Sequence, residues 1–209
     1  MVRVCKTNEP NSLRTAINRG ATDYEDHLDG RTKVKLRNKL LQDQGYVCCY
    51  CLKQIPEKYL PKSKIEHFKS QTGFPELQLE FRNLFIACNG VGNITEKTCD
   101  TKKGGSELNS FNFLTSNLVT LIKYTKNGTI FSTDNAVKEE INNILNLNDE
   151  NLRKAREEIY IAIERIKKRC GSKGNYASSI AKVINEWSTK DHNGRHKSYY
   201  AVALYYLNK

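Results

Sequence analysis

Apolar positions recur along this chain at two periods, and each change of period marks a new region. "NSLRTAINRG" reads as a short helix with Asn11 or Ser12 as cap and Gly20 just past its end. "DGRTKVKLRNKLLQDQG" predicts a stronger helix, with Val34, Leu36, Leu40 and Leu41 as its apolar stripe and Gly45 as its stop. From Tyr46 to Gly104 the helical period disappears. There "SKIEHF" and "EFRNLFIAC" read as short strands, and "CDTKKG" opens a helical turn. "LVTLIKYTKNGTIFST" predicts a β-hairpin turning at Asn127-Gly128. From Lys138 the helical period returns, with Leu152, Ile159, Ile163 and Ile166 on one stripe. Gly171 and Gly174 break it, and two further helices follow, one of them "SYYAVALYYLNK". The fold class expected is α+β: a mainly helical protein with a small mixed core embedded in it. The boundaries are N-terminal helices over 1–45, the core over 46–115, and a hairpin with C-terminal helices over 116–209.

Composition narrows the partner and the compartment. With 209 residues the chain is one large domain or two small ones, free of repeats and low-complexity tracts. Apolar runs such as "NLFIAC" are far too short to span a bilayer, so no membrane association is expected. The opening "MVRVCKTNEP" turns polar within a few residues, which makes the cytoplasm the expected location. A net charge of +11 points to a polyanionic partner, nucleic acid before others. Residues 150–209 hold 13 Lys and Arg against 6 Asp and Glu, so the tail carries much of that excess.

In such a compartment seven cysteines read as thiols or metal ligands before disulfides. Cys48-x-x-Cys51 has the spacing of a zinc half-site, since the short turn aims two thiolates at one ion. Cys88 and Cys99 are the available second pair, with ten residues between them, including the Gly/Asn-rich "NGVGNITEKT". Two other readings stand beside structural Zn²⁺: a redox C-x-x-C, which lacks a βαβ context here, and unrelated buried thiols. Cys49 reads as a spectator that competes at most with Cys48, and Cys5 and Cys170 as packed thiols.

"KIEHFKS" sets Glu66 directly before His67. Neighbours on a strand face opposite ways, so the pair makes sense if each does a separate job at one site. With Asn83 on a second strand and "CDTKKG" at a helix start, the set resembles the HNH endonucleases. The similarity is greatest to the PtuB-type nuclease subunit of Septu and related retron-linked anti-phage defence systems. The residues carrying it are "GYVCCYCLKQI", "KIEHFKS", "FPELQLEFRNLFIAC" and "KTCDTKKG", with weaker support from "EPNSLRTAI" and "ILNLNDENLRKAR". The resemblance implies a ββα-metal (HNH) core with a four-cysteine zinc site. It makes His67 the general base, Asn83 the group orienting its imidazole, and Glu66 and Asp100 the ligands of a catalytic Mg²⁺ or Mn²⁺. Lys102 or Lys103 would hold a phosphate. Carboxylates suit the hard cation and thiolates suit zinc, so the two metal sites need not compete. Three positions depart from the pattern: Ser70 stands in place of the usual proline, Val91 at a usual cysteine, and Asp100 in place of the usual asparagine.

The resemblance also implies a partner, an SMC-like or OLD-type (PtuA-like) ATPase subunit. No G-x-x-x-x-G-K-[ST] occurs in the chain, so nucleotide control would come from that partner. The leading expectation is thus a nuclease effector, DNA being the first candidate substrate. The competing reading is a zinc-stabilised nucleic-acid-binding or adaptor protein with an inactive HNH core. Tyr160, Tyr176, Trp187, Tyr199, Tyr200, Tyr205 and Tyr206 lie in the C-terminal helices, residues of the kind protein interfaces favour. The expectation is that they dock the ATPase, and that truncation before Ser172 leaves a folded, zinc-bound core.

Overall fold

Asp29 and Gly45 bound the longest N-terminal helix, as their chemistry requires. In the computed structural model, which describes residues 1–90, 97–171 and 175–209, helix α1 spans Asn11–Asn18 and α2 Gly30–Gln44. The Asp29 carboxylate accepts the Thr32 amide at 2.6 Å, and Gly45 closes the helix in the left-handed region at φ 63°. Leu36, Leu40 and Leu41 are buried, but Val34 is half exposed. Two residues apart on a helix is about 200° of rotation, so Val34 cannot share a face with Leu36. On α1 the expected side-chain cap is absent: Pro10 precedes the helix, and its carbonyl accepts the Leu13 and Arg14 amides. The expected roles of Val91 and Gly174 lie outside the described residues.

Strands β1 (Lys64–His67) and β2 (Leu84–Ala87) pair antiparallel, setting Glu66 opposite Phe85 and His67 opposite Leu84. Strand β2 is buried on both faces. Its Phe85 and Ala87 join one apolar cluster while Leu84 and Ile86 join another, made with Leu13, Tyr24, Leu28 and the leucines of α2. That two-sided burial explains why "LFIA" is a continuous apolar run with no polar alternation. Gln44, at the end of α2, satisfies backbone of the same strand. Its side chain accepts the Ile86 amide at 2.7 Å and donates to the Ile86 carbonyl at 2.8 Å.

Helix α3 follows at Cys99–Lys103, and α4 is a short turn at Leu118–Leu121. The predicted hairpin is real but small. Strands β3 (Lys123–Tyr124) and β4 (Ile130–Phe131) have two residues each, because the first part of the apolar run is helical as α4. Gly128 sits in its turn at φ 74°, and a Cβ there would lie 2.0 Å from the Arg153 carbonyl oxygen. Helix α5 (Asn135–Glu139) runs into a π-turn, followed by α6 (Glu150–Gly171), α7 (Tyr176–Ser188) and α8 (Tyr200–Leu207). Arg156 of α6 is fully buried and donates to the carbonyls of Gly128 and Leu147, at 2.6 and 2.8 Å.

The larger cluster runs from the cysteines through Phe68, Phe85, Phe111 and Phe113 to Ile163, Ile180, Val202, Ala203, Tyr206 and Leu207. Residues 195–199 strap onto the cysteine region, with the His196 amide on the Gly45 carbonyl and the Tyr199 amide on the Leu52 carbonyl. Most of the C-terminal aromatic residues turn inward: Tyr206 meets Tyr124, Tyr160 and Tyr205 at ring-centroid distances of 5.1 to 6.4 Å. Of the seven aromatic residues expected at an interface, Tyr176 alone is a large exposed side chain. The expectation that residues beyond 171 can be removed from an intact core therefore conflicts with the packing. Truncation before Ser172 is expected to yield insoluble or uncooperatively unfolding protein that holds less than stoichiometric zinc. Circular dichroism and metal analysis of the truncated chain check this.

Candidate functional site

Two backbone turns build the thiol site. At the first, the Leu52 amide bonds the Cys48 carbonyl at 3.1 Å, with Leu52 left-handed at φ 66°, so Cys48 and Cys51 face one point. At the second, the Thr98 amide bonds the Gly90 carbonyl at 3.2 Å and draws the ends of the long loop together. A Cβ on Gly90 would lie 2.1 Å from the Thr98 carbonyl oxygen, so only glycine permits the closure. The ten intervening residues thus do not keep Cys88 from Cys99. The sulfurs of Cys48, Cys51, Cys88 and Cys99 all lie within 4.8 Å of one another, and Cys51 and Cys88 are 3.8 Å apart. A tetrahedral ion with bonds of about 2.3 Å places its sulfurs about 3.8 Å apart, and an all-thiol set suits zinc. Burial opposes ionisation of Cys48, but hydrogen bonds from Cys49, Cys51, Cys88 and Cys99 hold its thiol well below the ordinary value. Cys49 is buried beside Cys48 without joining the four. Cys5, expected to be packed, is exposed.

The second constellation lies where β1 meets α3. Glu66 is 1% exposed, and its Oε1 accepts from the Tyr50 hydroxyl at 2.7 Å and pairs with Lys103 Nζ at 2.9 Å. Asp100, the second residue of α3, pairs with Lys64 at 3.0 Å. The two carboxylates bear on each other's ionisation in opposite senses. Burial, then the bond to Asp100, pushes the Glu66 carboxyl well above its ordinary range. Burial also opposes the charge on Asp100, but the bond to Glu66 and the Lys64 ammonium hold it below its ordinary range. Two carboxylates that oppose each other's charge are relieved by a proton or a cation, so two oxygen donors here fit a hard divalent ion completed by water.

His67 leaves β1 on the other face, against the edge of the Tyr24 ring, with centroids 5.0 Å apart. Its Nε2 lies 3.1 Å from the Gln78 carbonyl oxygen. A carbonyl only accepts, so Nε2 carries the proton and Nδ1 keeps the lone pair of a base. Asn83 does not touch the imidazole. Its side chain accepts the Lys69 amide at 2.7 Å and donates to the carbonyls of Lys69 and Leu77, at 3.0 and 3.1 Å. Asn83 thus ties Lys69 to Leu77, next to the Gln78 whose carbonyl meets the ring. Ser70 uses its amide on Glu107 Oε1 at 3.0 Å, a bond that proline could not donate.

The expected phosphate ligands separate. Lys102 is exposed, whereas Lys103 is buried and committed to Glu66 and to the His67 carbonyl, 3.0 Å away, so Lys103 is not placed to hold a phosphate. Sequence reasoning passed over Tyr50, although it lies inside "CCYC". It also passed over Gln78, which acts through its backbone and leaves no side-chain signal.

No family model matches the chain. Over 122 residues it is 30% identical to an Escherichia coli protein named as the candidate HNH endonuclease of retron Ec83, a match covering 51% of this chain and 47% of that protein. The chain thus spans about half the length of the curated relative it matches. The similarity supports a relation to the HNH endonucleases. No helix among the described residues is long and apolar enough to cross a membrane.

The thiol geometry makes a direct prediction. Freshly purified protein should carry about one zinc per chain, and Cys51→Ser or Cys88→Ser should lose the metal together with the cooperative unfolding transition. Atomic absorption and thermal melts read both. A zinc-free protein that melts normally would contradict the assignment.

Proposed function

We propose that this protein is a metal-dependent HNH endonuclease that hydrolyses phosphodiester bonds of nucleic acid, DNA in the first place. The observation carrying this reading is a neutral, backbone-oriented imidazole on the same strand as a buried carboxylate that pairs with a second acid from the next helix. The similarity to a retron-encoded protein named as an HNH endonuclease supports it, as does the net charge of +11, which suits a polyanionic substrate. By the resemblance of its "GYVCCYCLKQI", "KIEHFKS" and "KTCDTKKG" segments, the protein would work as the effector subunit of an anti-phage system of Septu or retron type, under the control of an SMC-like or OLD-type ATPase.

Hydrolysis of a phosphodiester needs a nucleophilic water and neutralised charge on the phosphate and the leaving oxygen. His67 Nδ1 takes the proton from water while Gln78 holds Nε2–H and keeps the ring from turning. Asn83 holds the Lys69 and Leu77 segments that frame the ring. Glu66 and Asp100 would hold Mg²⁺ or Mn²⁺, which when bound neutralises charge on the phosphate. Lys102 is the exposed cation available to the nucleic-acid backbone. One observation favours the competing reading of an inactive, zinc-stabilised binding protein: Glu66 is already fully buried and ion-paired.

Plasmid cleavage with Mn²⁺ separates the two. His67→Ala is expected to lower the rate about 10²- to 10⁴-fold with zinc content unchanged; equal cleavage by the two proteins would defeat the assignment. Burial lowers the His67 pKa from the ordinary 6.5, the Gln78 carbonyl pulling upward against it and Lys103 adding to the lowering. The working form is the neutral imidazole, so activity should persist at pH 6.5 and fall only on further acidification. A rate profile that instead declines from above pH 7 would contradict the geometry seen around Nε2.

A further inference from the structure

Lys103 is a charged side chain only 2% exposed, at the end of a helix of five residues. Burying an ammonium is costly, so its partners define its purpose. It has two among the described residues: Glu66 Oε1 at 2.9 Å and the His67 carbonyl at 3.0 Å. The Tyr50 hydroxyl donates to the same Glu66 oxygen at 2.7 Å. With Oε1 held twice, the carboxylate cannot rotate freely, and Oε2 carries neither of these two bonds. Asp100 is held from its other side by Lys64, at 3.0 Å. Each of the two carboxylates is thus fixed by its own lysine, one buried and one at the surface.

Resting on the reading that Glu66 and Asp100 hold a divalent cation, we propose that Lys103 is a positioning residue for that site. Its ammonium pins Glu66 Oε1 and the backbone of the base in one contact set, so that Glu66 Oε2 is presented to the cation and β1 keeps its place against α3. The neighbouring Lys102 remains free for phosphate, which explains why two adjacent lysines end the helix without duplicating each other.

The test is Mn²⁺ binding to the zinc-loaded full chain, followed by electron paramagnetic resonance of the free ion, with thermal melts alongside. Lys103→Met should weaken Mn²⁺ binding by about 10- to 100-fold, the range found when an outer partner of a metal ligand is removed. Tyr50→Phe removes one donor but leaves the charge, so it should weaken binding at the lower end of that range or below it. Lys103→Met and Glu66→Gln should each lower the melting temperature, and the double variant should recover part of the loss, because neither charge then stays buried alone. Should Lys103→Met fail to fold, Lys103→Gln, which keeps a donor without the charge, carries the test, and unchanged binding in it overturns the proposal. Binding as tight as or tighter than wild type in Lys103→Met also overturns it, since the lysine would then compete with the cation. So does a wild-type protein that binds no Mn²⁺. A wild type that binds Mn²⁺ but cuts nothing defeats the nuclease reading and leaves the positioning role standing.

Discussion

Four sulfur atoms within 4.8 Å of one another lie where elements too short to hold themselves come together. Strands of four residues and a helix of five have little stability in isolation. The cysteines come from three separated stretches: the turn after α2, the end of β2 and the first residue of α3. Zinc bound to them would fix where α3 begins. That matters because Cys99 is followed at once by Asp100, with Lys103 one helical turn on. A zinc-bound thiol site would therefore set the distance between the acid of α3 and the acid of β1.

Strand β1 resolves the adjacency of Glu66 and His67. Successive side chains leave a strand on opposite faces, so the carboxylate enters the environment of Tyr50 and Lys103 while the imidazole meets Tyr24 and Gln78. Each environment does a different thing. The first supplies donors to a buried carboxylate; the second supplies a lone acceptor that fixes a neutral tautomer. One lysine touches both residues, the side chain of one and the backbone of the other.

Much of this was legible in the residues, wherever function depends on local chemistry. Gly45 marks a helix end because left-handed closure is decided within a few residues. The C-x-x-C turn and the helical start at "CDTKKG" were readable for the same reason. What could not be read depends on distant contacts. The motif puts Asn83 beside the imidazole, but its side chain bonds Lys69 and Leu77, a choice made by the path of the chain between the strands. Lys103 looked like a surface cation, since nothing in "TKKG" says which lysine faces inward. The aromatic residues of the C-terminal helices suggest an interface because tyrosine suits either setting; here Tyr160, Tyr205 and Tyr206 pack on one another, and Tyr200 stacks on His196.

The claim on which everything else rests is that the four cysteines form one tetrathiolate zinc centre that seats α3 against β1. X-ray absorption at the zinc edge of the purified protein tests it most directly. The account predicts four sulfur ligands at about 2.3 Å with no nitrogen or oxygen in the first coordination sphere. Fewer than four sulfurs, or a mixed shell with nitrogen or oxygen, would contradict it.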